Sequence, residues 1–146
     1  MSDNEEIKGY NGHVYFTLDE IAHMLPGPAR LMHEVGARWW KVYYAAKAGN
    51  WPLANYEVKE LIELIEICQI TRPKYEKFMT PFLNESLKPL KDAVAKQDWA
   101  AFDKAYHQAT KDANDYHKAA DKPLIRWKLP STPPPDMEMA PEPQQK

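Results

Sequence analysis

Cysteine is nearly missing from this chain of 146 residues, in which Cys68 stands alone. One thiol closes no internal disulfide and builds no cysteine-based structural zinc site, so neither device carries the fold's stability. Long apolar runs are missing too. No stretch approaches the roughly 18 to 20 apolar residues that cross a bilayer, and the acidic start MSDNEEIKGYNGHVYF has no apolar run of signal-peptide length. As written, the chain reads as soluble and cytoplasmic, with a periplasmic address if an N-terminal leader has been removed, and no membrane partner is expected. Charge of one sign is also lacking. Lys and Arg number 19 against 21 for Asp and Glu, and Arg30, Arg38, Arg72 and Arg126 are scattered. No linear basic patch tracks a phosphate backbone, so no nucleic-acid partner is expected. The chain has no Gly-rich phosphate loop, no Gly-x-Ser-x-Gly elbow and no His-Glu-x-x-His helix. The expectation is a protein that is not an enzyme.

What is present is helical periodicity. From Pro28, whose missing N–H costs nothing in a first turn, Leu31, Val35, Trp39, Val42 and Ala46 repeat at helical spacing as far as a cap near Gly49-Asn50. Met32, Gly36, Trp40 and Tyr43 form a neighbouring stripe, so this first long helix is apolar over a wide arc. Gly36 weakens a helix interior by about 1 kcal/mol relative to alanine, a cost that close approach by another element or a bulky ligand explains. A second helix runs from about Pro52 to Ile70 with Val58, Leu61, Ile65 and Cys68 inward, and its glutamates at 57, 60, 63 and 66 read as a solvated surface. A third region carries Phe82, Leu87, Leu90 and Val94 and is interrupted at Pro81, with Pro89 as a kink. Asp98 caps a fourth helix, in which Trp99, Phe102, Tyr106, Ala109, Ala113, Tyr116 and Ala120 alternate spacings of three and four.

A chain of this length supports one hydrophobic core. The fold expected is therefore all-α: an antiparallel four-helix bundle over residues 28–121, preceded by an arm over 1–27 and followed by an extended, Pro-rich tail over 122–146. In the arm, Thr17 caps a short helix closed by Glu20, and Phe16, Leu18, Ile21, Met24 and Leu25 are expected to lie across the bundle. In the tail, Leu124 or Ile125, Trp127 and Leu129 clip onto the helices, while Asp136 onward is expected to be loose or polyproline-like.

The segments Leu31-Met32-His33-Glu34-Val35-Gly36, Tyr43-Tyr44-Ala45-Ala46-Lys47-Ala48-Gly49-Asn50-Trp51 and Arg72-Pro73-Lys74-Tyr75, with a last helix ending in a histidine, resemble the cytochrome c-prime and cytochrome c-556 type of four-helix bundle. The resemblance covers about residues 28–135 and puts the haem-attachment motif at Ala113-Asn114-Asp115-Tyr116-His117. Two cysteines of that motif form thioethers with haem in the family. Here Ala113 and Tyr116 stand in their places, which excludes ordinary covalent attachment. The resemblance implies His117 as proximal ligand and Met32 on the distal side, so a metal is expected on His117 only if haem is bound, with Asp121 as a local partner for the imidazole.

Arg38 suits a propionate or, more simply, Glu34; Trp39, Tyr43 and Tyr116 either line the cofactor's space or fill it. No cofactor is expected, with non-covalent haem as the alternative. The function expected is interaction with a partner or binding of a small hydrophobic or haem-like ligand, against electron transfer or gas sensing by non-covalent haem. A homodimer is expected through the first two helices, with Trp40 and Tyr44 as interface residues, in part because related bundles pair that way.

Overall fold

A computed structural model describes residues 7–143, so the first six residues of the arm and the last three of the tail lie outside the described residues. The chain is mostly helical. Helix α2 spans Pro28–Lys47 and α3 spans Trp51–Thr71, joined by a tight turn in which Gly49 takes φ 76° and the Asn50 side chain accepts from Leu53 N–H. So short a link makes the two helices neighbours, packed along their lengths. Helix α6 spans Trp99–Ala119 and begins where Asp98 accepts from Ala101 N–H.

The expected count of four helices is not matched, because the third region is divided. After Arg72, Pro73–Tyr75 form a 3₁₀ turn, α4 covers Glu76–Pro81, Phe82–Ser86 form a π turn and α5 covers Lys88–Lys96. The π turn is closed by Leu87 N–H donating to Phe82 C=O, a wider loop than α-geometry allows. Pro89 sits in the first turn of α5. There it starts a helix instead of kinking one.

The class is also not purely helical. Lys8–Tyr10 (β1) and Tyr15–Thr17 (β2) pair antiparallel, with Gly9 opposite Phe16, and Asn11-Gly12 opens the connection with Gly12 at φ 95°. Helix α1, Leu18–Met24, follows with the expected Thr17–Glu20 capping box. It adds nothing to the buried core. None of its residues is buried; Leu18, Met24 and Leu25 are exposed, and Ile21 turns to the hairpin, within 3.4 Å of where a side chain at Gly9 would begin. The apolar face of α1 is only seven residues long, and its own hairpin covers part of it.

The core gathers Val42, Ala45 and Ala46 of α2, Ala54, Val58, Leu61 and Ile65 of α3, Leu90, Ala93 and Val94 of α5, and Phe102, Tyr106 and Ala109 of α6. Aromatic rings fill one end: Trp39 stacks on Tyr106 with centroids 4.2 Å apart, and Tyr43 meets Trp99, Phe102 and Tyr106. Glu57, expected in solvent, is 2% exposed; Arg38 Nη1 donates to its Oε2 at 2.8 Å and Arg38 Nη2 donates to Glu34 Oε1 at 2.8 Å. Burial opposes the charge on Arg38, yet the hydrogen bonds and fields of Glu34 and Glu57 outweigh it and hold the guanidinium above its ordinary pKa.

The tail is a strap. Asn114 donates to Trp127 C=O and accepts from Trp127 N–H, Tyr44 OH donates to Pro130 C=O, and Trp40 Nε1 donates to Thr132 C=O. Asp136, expected to begin a loose end, accepts from Lys41 at 3.0 Å, and Met139 is buried in the core. Trp40 and Tyr44, expected at a dimer interface, thus hold the chain's own tail.

Candidate functional site

The aromatic packing of α6 stops at Thr110. From Phe102 to Ala109 its inward residues are buried, whereas Thr110, Ala113, Tyr116, His117 and Ala120 are half-buried. They face a cavity of about 810 Å³, a size that suits a small-molecule ligand. The change follows from the sequence. Beyond Tyr106 the inward positions at 113 and 120 are alanines, which leave space that Phe102 and Tyr106 fill at the other end.

The floor of the cavity is Trp39, 9% exposed and held by two bonds to α6: its Nε1 donates to Thr110 Oγ1 at 2.9 Å and its C=O accepts from Tyr106 OH at 2.8 Å, while Thr110 itself donates to Tyr106 C=O. Met32 and Val35 of α2 form one wall, and Leu61 and Ile65 of α3 another. Phe78, Met79 and Phe82 close a third side, where Pro81 and the π turn bring the chain round. Ile125 and Trp127 of the strap complete the enclosure, and Met24, Leu25 and Pro26 of the arm reach its edge.

The structure brings together Met32, Trp39, Tyr116 and His117 on this one cavity and leaves Arg38 and Tyr43 outside it. Arg38 is committed to Glu57 and Glu34. Tyr43 lies in the aromatic end, where its OH donates to Asp103 Oδ1 at 2.9 Å; burial, with that bond, pushes its pKa up to about 12. Asp121 is not the partner of His117. It occupies a left-handed conformation, φ 58°, at the end of α6.

His117 has an unusual environment. Its Nδ1 is buried and makes no hydrogen bond, and burial lowers its pKa below the ordinary 6.5. The imidazole is thus held neutral, an uncompensated polar group in an apolar wall. Its depressed pKa links folding to pH. Above about 6.5 neither the folded nor the unfolded ring is charged and nothing is lost; as pH falls below 6.5, the unfolded chain takes up a proton that the folded chain resists, so stability declines toward the folded pKa. Replacing His117→Gln is expected to flatten that part of a melting-temperature curve. An unchanged curve would assign the acid loss to other groups.

The donor set tests what the cavity could hold. A neutral imidazole and the Met32 thioether are the ligand types that haem iron takes. A metal-bound histidine, however, is ordinarily fixed by an acceptor on its second nitrogen, and the buried Nδ1 has none. No thiol reaches the cavity: Cys68 is buried on α3, where burial pushes its thiol up in pKa. Among the described residues no three His, Cys, Asp or Glu side chains group to hold a metal ion. No helix among the described residues is long and apolar enough to cross a membrane.

Sequence reasoning placed at no site Phe78, Met79 and Phe82, which read only as apolar members of the third region, nor the cations Arg30, Arg72, Lys74 and Lys122. The interruption at Pro81 was the only signal for the former group. No spacing marks the latter. The chain matches no family model, no curated protein and no solved structure.

Proposed function

We propose that this chain is a non-enzymatic binding protein that takes a small apolar ligand in the cavity between α2, α3, α4 and α6, on an antiparallel four-helix bundle of the cytochrome c-prime type without covalent haem attachment. In that scheme α4, the π turn and α5 together serve as one rod. The observation that carries the reading is the cavity itself, about 810 Å³ with mostly apolar walls, in a chain whose other end is filled by stacked rings. Space of that kind weakens the fold, because each lining side chain forgoes contacts that tight packing would provide. A ligand restores them.

The test is titration with the neutral apolar dye N-phenylnaphthylamine. Saturable fluorescence is expected, with at least a tenfold weaker affinity in Ala113→Trp, which fills the space from α6. Failure of the dye to saturate, or equal binding by the filled variant, would reject the cavity as a binding site.

A second reading, non-covalent haem used for electron transfer or gas sensing, draws on His117 and Met32 sharing the cavity. It requires a stoichiometric Soret band that changes in His117→Ala. Haem would supply the redox or gas-binding chemistry; His117 would hold it and the walls would exclude water. The unpartnered Nδ1 places this reading behind the first. Homodimerisation is a separate expectation, and with Trp40 and Tyr44 covered by the strap it would use another face, which sedimentation decides.

A further inference from the structure

We infer that the cavity's ligand is an apolar carboxylate, with its chain among Trp39, Leu61, Ile65 and Ala113 and its anionic head at a cationic mouth; this rests on the binding reading above. Arg30, Arg72, Lys74 and Lys122 all line the cavity, and no Asp or Glu does, although acids outnumber bases in the chain. All four are exposed, whereas the Trp39 floor is buried. Charge therefore stands at the entrance and apolar surface inside.

Among the described residues these four cations are not engaged by a carboxylate, a state they share with other exposed cations such as Lys59, Lys91 and Lys104 but not with every cation of the chain. Arg38, Lys41, Lys88, Lys111 and Lys118 each contact one. Lys74 lies instead over the Tyr75 ring. Two of them crowd one corner. The Arg72 guanidinium lies 3.1 Å from where a side chain at Gly27 would begin, and Gly27 is the N-cap of α2, whose first turn holds Arg30.

Helix-end electrostatics accounts for only part of this. Arg72 ends α3 and donates Nη1 to Thr71 C=O at 2.7 Å, a favourable place for a cation, and Lys122 follows α6. Arg30 is at the opposite kind of end. A cation in the first turn of a helix adds to the positive end of the dipole, and α2 has there neither a capping side chain nor an acid to offset it. An incoming carboxylate supplies what that corner lacks.

The experiment displaces the dye from the full chain with dodecanoate, dodecanol and dodecyltrimethylammonium at low salt and near-neutral pH. Dodecanoate is expected to bind at least tenfold tighter than dodecanol and to lose that margin as salt is raised. Each exposed cation accounts for about threefold, so Arg30→Ala with Arg72→Ala removes about tenfold for dodecanoate and leaves dodecanol unchanged. Should that variant fail to fold, Lys74→Ala with Lys122→Ala is read in the same way. If the alcohol binds as well as the carboxylate, or a variant weakens both equally, the carboxylate assignment falls while apolar binding stands. Were Arg72 and Lys122 only helix-end charges, replacing either would lower the melting temperature without moving the dodecanoate affinity, which also overturns it. Failure of the dye itself removes the cavity reading beneath.

Discussion

Replacing Arg38→Met is expected to lower the melting temperature by roughly 6–12 °C, from a loss of about 3 kcal/mol. The effect does not come from an ion pair at the surface, where such contacts contribute at most about 1 kcal/mol. It comes from what remains. Glu57 is 2% exposed and accepts from Arg38 at 2.8 Å, while Glu34 and the more distant Glu60, the other carboxylates on that guanidinium, are far more exposed. Methionine preserves much of the volume of the arginine stem but leaves a carboxylate at 57 without its cation, and uncompensated charge inside a protein is among the costliest single defects. The lower end of the range for broken buried pairs applies, because Arg38 keeps 20% of its side-chain surface in water and the gap can admit some. Adding Glu57→Leu removes the stranded charge, so the double variant should recover most of the loss. Thermal melts of the wild type, both single variants and the double variant give the coupling directly. A shift below about 2 °C in Arg38→Met would show that Glu57 reaches water unaided.

Glu57 also shows where sequence reading stops. Glutamates recur every third residue along α3, a pattern that carries no preference for one face, and a charge reads as solvated until a partner is placed opposite it. That partner lies 19 residues earlier, on α2. By contrast the stripes of α2 and α6 were legible, because Trp39, Val42 and Ala46, and Phe102, Tyr106 and Ala109, repeat at spacings only a helix can bury, and each is buried. Pro28, Pro52 and Asp98 marked the starts of the long helices for equally local reasons, although Asn50, read as the end of α2, is in fact the N-cap of α3. The hairpin of the arm left a signal too. Asn11-Gly12 is turn chemistry flanked by strand-forming residues, and it passes unread because the strands are three residues each.

The cavity was half-legible. Met32, Trp39, Tyr116 and His117 share it as a group, but space is a relation between helices, and no residue encodes it alone. Ala113 and Ala120, on the half of the stripe that follows Trp99, Phe102 and Tyr106, were its trace. The cations at its mouth come from three separate segments, and only the placement of the start of α2 beside the ends of α3 and α6 collects them.

Gly36→Ala is expected to change the sign of its effect with the residue at 127. In an exposed helix interior this substitution stabilises by about 1 kcal/mol, since alanine gives up less conformational freedom. Here a Cβ at 36 would fall inside the Trp127 ring. Trp127 cannot simply retreat, because Asn114 holds its backbone through both N–H and C=O, and the bonds of the strap to Tyr44, Trp40 and Lys41 follow within ten residues. The wild-type chain should therefore lose about 2 kcal/mol or more from overpacking, with the strap loosened and cut faster by protease after Lys128. In a Trp127→Ala background the ring is gone, and the same Gly36→Ala change should raise the melting temperature by about 2–4 °C. The reversal matters beyond stability because Trp127 also walls the cavity: Gly36→Ala alone should weaken binding of the apolar dye together with the fold. Equal shifts in both backgrounds would mean that the close approach of strap and helix is not what glycine at 36 serves.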